Sequence, residues 1–243
     1  LAFKSGNHDI AEAMFTKALK LDPTYSLVWA NLAQVFSVTG QLDKAKRSFK
    51  NILNMDPKNG LMWAEYGTVL TKLANYKEGK DAYLKALEFK PNSPRIHLSL
   101  GHVYKTIGEI DKSINSYKNT ILQNSLSGEA YWSLANLKTY SFSENEIKDM
   151  EETLKGDMSD IERSQMYFAL GKAYEVEKDF DKSFKNYYEG NKVKKALIKY
   201  SSDDTTDNTK RILDFFNQEN IQKLAKSSTK DRDPIFVLGM PRS

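Results

Sequence analysis

The last ten residues, PIFVLGMPRS (234–243), carry the side-chain types that could hold an anion. The apolar run Ile235 to Leu238 after Pro234 fits a buried strand, and Gly239 fits a sharp exit from it. A strand that leads through a glycine loop to a helix N-terminus holds phosphate, because backbone N–H groups and the helix dipole both point at the anion. Arg242 would add a forked guanidinium suited to phosphate oxygens, and Ser243 a hydroxyl. Two other readings fit the same residues. One is a buried strand and turn with a surface arginine; the other is the start of a nucleotide-hydrolase loop, since Gly239 followed by four residues also opens a Walker A motif.

The remaining reactive side chains converge less. His8, His97 and His102 have no metal-ligand spacing on one helix; the last two are five apart and point to different faces. No metal site is expected. The acidic pairs Asp203–Asp204 and Glu151–Glu152 read as a solvated linker and a charged helix surface. There is no cysteine, hence no disulfide framework and no thiolate metal site, which fits a reducing, cytoplasmic compartment. Among 243 residues, 36 basic against 32 acidic side chains give a formal charge of +4, too weak an imbalance to argue for nucleic acid or an anionic membrane. No run of 18 apolar residues occurs, and the first residues lack the order of a signal peptide. The chain opens in mid-pattern at Leu1 and stops within a loop-like motif, so it reads as cut at both ends, and a targeting segment could be missing.

What positions these residues is a repeat. Trp29, Trp63, His97 and Tyr131 are 34 residues apart. In step with them run Leu32, Tyr66, Leu100 and Leu134; the small residues Ala33, Gly67, Gly101 and Ala135; and the aromatics Phe15, Phe49, Tyr83 and Tyr117. Pro23, Pro57 and Pro91 close three successive units, with Ser125 in the fourth place, and Gly40, Ala74 and Gly108 mark turns inside units. The apolar spacing within each unit is helical, so the columns describe stacked helix pairs: a small residue lets the paired helices approach, and an aromatic fills the space beside it. The units run 1–25 (partial), 26–59, 60–93, 94–127, an irregular 128–163, and 164–197. In the irregular unit Ser143 with Glu146 predicts a capping box, with Gly156 as the stop; Ser159 with Glu162 predicts a second box. The repeat domain is taken as 1–190. Residues 191–233 are expected to hold a linker, SSDDTTDNT, and one amphipathic helix, and 234–243 a strand and loop.

These columns resemble the tetratricopeptide repeat. The fold class that follows is an all-α solenoid, a right-handed superhelix of antiparallel helix pairs, ending in a short β-strand. PIFVLGMPRS is similar to the start of the 5′-phosphosulfate-binding loop of sulfotransferases of the Pro-Arg-Ser-Gly-Thr-Thr type. AYWSLANLKTYSFSENEIKDM (130–150) and YFALGKAYEVEKDFDKSFKNYYEGN (167–191) are similar to the helical region of bacterial tetratricopeptide-containing sulfotransferases. That resemblance implies an intact enzyme that transfers a sulfuryl group from 3′-phosphoadenosine 5′-phosphosulfate to an acceptor, with Arg242 and Ser243 contacting the donor's 5′ phosphosulfate. The strand would begin a truncated α/β sulfotransferase domain. The general base and the 3′-phosphate site would lie beyond Ser243, so this chain has no catalytic residue and is expected to be inactive alone. In such a superhelix the first helix of each pair lines the concave face. There Gln34, Lys72, Arg95, His102, Lys105, Trp132 and Asn136 fall off the packing columns, and the groove they form could hold a protein or peptide. The alternatives are a non-enzymatic interaction scaffold and an adaptor fused to a P-loop nucleotide hydrolase.

Overall fold

The helical periods become helices over the lengths the repeat allows. In order they are α1 (His8–Leu21), α2 (Ser26–Val38), α3 (Leu42–Met55), α4 (Gly60–Lys72), α5 (Tyr76–Phe89), α6 (Pro94–Thr106), α7 (Ile110–Gln123), α8 (Gly128–Ala135), α9 (Glu144–Thr153), α10 (Asp160–Val176) and α11 (Phe180–Leu197). The computed structural model describes residues 7–198 and 201–227. The expected strand at 235–238, with Pro241, Arg242 and Ser243, lies outside them; among the described residues every regular element is a helix. The chain divides into two units, 1–197 and 198–243.

Within the first unit each helix packs on the next, and the pairs α2–α3, α4–α5, α6–α7 and α10–α11 are the most intimate. The cause is the small-residue column. A Cβ added at Gly67 would stand 2.9 Å from Tyr83 Cδ1, and one at Gly171 2.9 Å from Tyr187 Cδ1 and Cε1, so the aromatic ring of the second helix lies directly on the glycine of the first. Tyr83 also joins Ile96 and Leu100 of the following pair in one buried cluster, so a single ring closes both interfaces. A further small column, not foreseen from the sequence, sits twelve residues beyond the first: Ala45, Gly79, Ser113 and Ser183, all buried. The hydroxyls of Ser113 and Ser183 donate to the carbonyls of Gly101 and Gly171, each at 2.8 Å.

Each regular first helix ends in the same way. The N–H of Gln41, Asn75, Glu109 and Asp179 donates five residues back, to the carbonyls of Phe36, Leu70, Tyr104 and Tyr174 at 2.8–3.0 Å. This Schellman bond needs a left-handed residue just before the donor. Gly40 and Gly108 supply it at φ +76° and +82°; Ala74 and Lys178 adopt it at +59° and +64°. The proline and tryptophan columns prove to be connected. The indole N–H of Trp29 donates to the Pro23 carbonyl and that of Trp63 to the Pro57 carbonyl, both at 2.8 Å, and His97 Nε2 meets the Pro91 carbonyl at 3.2 Å.

The irregular unit departs where expected, and for a visible reason. α8 is only eight residues long, α9 ten, and α10 starts at Asp160, four residues before the expected unit boundary. That extra turn packs on α8: Gly128 lies so near the Glu162 backbone that an added Cβ would fall 2.9 Å from its carbonyl carbon and closer to its oxygen. The capping box at Ser143 and Glu146 forms in full. The second forms by half, because Ser159 accepts from the Glu162 N–H while the Glu162 carboxylate accepts from the Glu129 N–H at 3.2 Å, capping α8 instead of its own helix.

α11 runs to Leu197, the end of the last repeat as read from the sequence, and the departure comes after it: in place of a linker and one helix the second unit holds two helices, α12 (Ser202–Phe215) and α13 (Gln218–Ser227). The supposed linker is the first turns of α12: Ser201 caps it by accepting from the Asp204 N–H at 3.1 Å, and Asp203 and Asp204 lie where the helix dipole favours negative charge. The apolar run that reads as one helix is interrupted because Asn217 accepts from the Asn220 N–H at 2.9 Å and starts α13.

Candidate functional site

The first helices α4, α6, α8 and α10 form a continuous wall, tied by side chains that cross from each to the next. Arg95 of α6 pairs with Glu65 of α4. His102 Nε2 meets Glu129 Oε1 at 3.2 Å between α6 and α8. The rings of Trp132 on α8 and Phe168 on α10 lie 5.6 Å apart between centroids.

Five of the seven anticipated groove positions belong to these helices, Asn136 caps the C-terminus of α8, and Gln34 occupies the equivalent place on α2. Gln34, Lys72, Arg95, Lys105 and Asn136 are exposed; His102 and Trp132 are half-buried. Asn136 turns back to donate to the Trp132 carbonyl at 2.8 Å. His102 is less available than its repeat position suggests. Its Nδ1 takes a hydrogen bond with the Tyr117 hydroxyl at 2.9 Å while Nε2 engages Glu129. That bond holds the Glu129 carboxyl below its usual value. The chain Tyr117–His102–Glu129 has the look of a proton relay, but burial raises the Tyr117 hydroxyl above its ordinary range and the ring is fully enclosed, so the group is no nucleophile.

Sequence reasoning missed four participants. Thr68 belongs to the same 34-residue column as Gln34, His102 and Asn136, and its hydroxyl meets the Tyr83 hydroxyl at 3.1 Å, as His102 meets Tyr117. Phe168 follows Trp132 by the same 36-residue step that separates Tyr131 from Tyr167. Glu65 and Glu129 had no signal except their charge opposite Arg95 and His102.

Three acidic groups of the wall are engaged by side chains: Glu65 by Arg95, Glu129 by His102, and Glu175 by Lys172 at 2.9 Å and by the Tyr187 hydroxyl at 3.0 Å. Lys72 and Lys105 are exposed with no carboxylate partner among the described residues. Lys194 of α11 stands over the Phe168 ring at 5.6 Å, also without a carboxylate. The indole N–H groups of Trp29 and Trp63 are bonded to proline carbonyls, whereas that of Trp132 has no acceptor among the described residues. On the other side, a cleft of about 640 Å³ between α9, α10 and α11 is lined by Lys148, Glu151, Lys182, Lys185 and Glu189, charges of both signs with no convergent geometry.

Among the described residues no group of three or more His, Asp or Glu side chains could hold a metal ion, and no helix is long and apolar enough to cross a membrane. The residues expected to bind the donor, Arg242 and Ser243, lie outside the described ones.

Comparison with known proteins bears on the repeats. A protein of Aquifex aeolicus, itself uncharacterized, is 28% identical over 145 residues; the match covers 59% of this chain and 19% of that protein's length. YrrB, a TPR protein with an unusual peptide-binding site, superposes with a TM-score of 0.56 at 18% identity, over 74% of this chain and 91% of its own. PilF of Pseudomonas aeruginosa superposes with a TM-score of 0.59 at 18% identity, over 93% of each chain. MamA gives 0.54 at 20% identity, over 82% of this chain and 95% of its own. At such identities these likenesses show the fold. Family models described as tetratricopeptide repeat match residues 2–73, 62–93 and 94–120, and with the helix pairs seen here the repeats of this chain are tetratricopeptide repeats.

Proposed function

We propose that the repeat unit is a protein-interaction scaffold whose first-helix wall receives an extended peptide segment of a partner. The observation that carries this reading is the wall itself: side chains off the packing columns, among them Gln34, Lys72 and Lys105, are exposed and structurally idle, while the columns through Leu32, Tyr66, Leu100 and Leu134 and through Ala33, Gly67, Gly101 and Ala135 are buried. The YrrB likeness supports it, since that protein of the same fold has a peptide-binding site. The test is a display selection of random peptides on the whole chain. Selected peptides should lose binding to a variant with Arg95, Lys105 and Trp132 replaced by Ala. They should keep binding when Lys46 of α3 and Lys155, in the turn after α9, are replaced instead. Equal binding to both variants would place the partner elsewhere and remove the reading.

A second reading rests on PIFVLGMPRS and on the two internal stretches that resemble sulfotransferases in the same order. In it the repeats present an acceptor to a sulfotransferase domain, the donor is 3′-phosphoadenosine 5′-phosphosulfate, and Arg242 and Ser243 hold its 5′ phosphosulfate. A protein extended through the sequence encoded after Ser243 should bind the donor in calorimetry, and Arg242→Ala should weaken that binding. A folded extended protein that ignores the donor ends this reading and leaves the scaffold intact.

A further inference from the structure

The character of the wall changes along its length. At the position of Trp132, one residue per first helix, the side chain grows from Ala30 and Ala64 through Leu98 to Trp132 and then Phe168. At this position the wall is small at its first helices and aromatic at its last, while Leu27 and Leu61 at the repeat position of Arg95, and Val38 at that of Lys72, are exposed apolar side chains on α2 and α4. Its free charge is mostly positive. Glu65, Glu129 and Glu175 are each engaged, Asp160 in the first turn of α10 is exposed without a partner among the described residues, and against it the cations left over are Lys72 and Lys105 on the wall and Lys194 beside it on α11. Two of these precede the aromatic end and one stands beside it.

Resting on the peptide-binding reading above, we propose that the partner segment is acidic and carries one large aromatic side chain, which seats against Trp132 and Phe168. Neighbouring packed helices are about 8–10 Å apart, and an extended chain advances about 3.3 Å per residue. A carboxylate opposite Lys72 is thus followed about three residues later by one opposite Lys105. The aromatic follows after about three more, and a further carboxylate reaches Lys194. The idle Trp132 N–H donates to a backbone carbonyl or carboxylate of the same segment, and the ring face supplies the apolar contact that dominates such anchors. Because the three lysines are exposed, their attraction adds modestly to affinity and more to the rate and selectivity of encounter.

The test uses the whole chain and three labelled peptides of roughly 12 residues, the span of four wall helices. One alternates Glu with Ser around a single Phe; a second has Lys for Glu; a third has Ala for Phe. Fluorescence anisotropy should show the first binding best, with affinity falling as salt rises. Reversing Lys72 and Lys105 together to Glu should weaken it about tenfold, and these exposed lysines have no partner whose loss could unfold the protein. Trp132→Ala should weaken the Phe peptide about tenfold and leave the Ala peptide nearly unchanged, a non-additivity that general unfolding cannot produce. If the Lys peptide binds as well as the Glu peptide, or the lysine reversal changes nothing, the acidic assignment is overturned while a peptide-binding wall stands. If none of the three peptides binds, and display selection also returns none, both readings fall.

Discussion

Replacing Gly128 by Ala should unfasten the junction of α8 and α10. Alanine is ordinarily the better helix residue, by up to about 1 kcal/mol in a helix interior, so local propensity alone predicts a neutral or stabilising change. Packing predicts the opposite. The new methyl would stand 2.9 Å from the Glu162 carbonyl carbon and 3.0 Å from its Cα, and nearer still to the oxygen. These are backbone atoms that cannot swing aside, so the two helices must part on the order of 1 Å to restore ordinary contact distances. Overpacking of this kind costs about 1–3 kcal/mol. The displacement also stretches the 3.2 Å bond from the Glu129 N–H to the Glu162 carboxylate, for about 1 kcal/mol more. The net expectation is a loss of about 2–3 kcal/mol, or roughly 5–10 °C in melting temperature for a chain of this size. Thermal melts by circular dichroism would measure it, with hydrogen exchange locating the lost protection in α8 and the first turn of α10. Gly156→Ala, where the added methyl would meet only the Thr153 oxygen at 3.3 Å, is the control and should change little. A melting temperature within about 1 °C of the parent, with α8 protection intact, would refute the reasoning.

Two further outcomes follow from the turns and the wall. Ala74→Gly should stabilise by about 0.5–1 kcal/mol, since a non-glycine residue at φ +59° costs about 1–2 kcal/mol while glycine loses part of that gain through the freedom of the unfolded chain; a lower urea midpoint would contradict it. Glu129 has a folded pKa lowered chiefly by its hydrogen bond from His102, so its contribution is present above the unfolded value of 4.5 and lost as pH falls through the lower folded value. Urea midpoints of the parent should therefore drop more steeply between neutral and acidic pH than those of Glu129→Gln, and parallel profiles would remove this role for the pair.

The repeat was legible because packing imposes it. Gly67 and Tyr83 are sixteen residues apart in one unit and in contact, so both recur with the period, and any column held by contact appears in the sequence as a spacing. The same logic would have shown the small column at Ala45, Gly79 and Ser113, and Thr68 between Gln34 and His102; the signal was there at 34 residues and weak only because small or polar residues vary in type. Less legible was anything decided by two distant groups competing for one partner. Glu162 looks from its spacing like the second half of a capping box, but its carboxylate lies nearer the bare N-terminus of α8, and no local pattern encodes that choice. The helix at SSDDTTDNT was hidden for a related reason: Ser, Thr and Asp suit loops, yet at the first turn of a helix the same side chains cap and complement the dipole. Among groove residues, exposure followed from repeat position, whereas the engagement of His102 depended on Tyr117 and Glu129 both reaching it.

The bonds from Trp29, Trp63 and His97 to Pro23, Pro57 and Pro91 each join the start of one unit to the last turn of the unit before. They therefore set how strongly neighbours melt together in a linear array, where stability is a sum of unit and junction terms. At the next junction the pair is Ser125 and Tyr131, and the tyrosine ring has no N–H to offer. That tie is absent between α7 and α8, so how strongly the blocks on either side melt together rests there on Tyr117 packed with Leu134 and Leu137 and on the reach of His102 to Glu129.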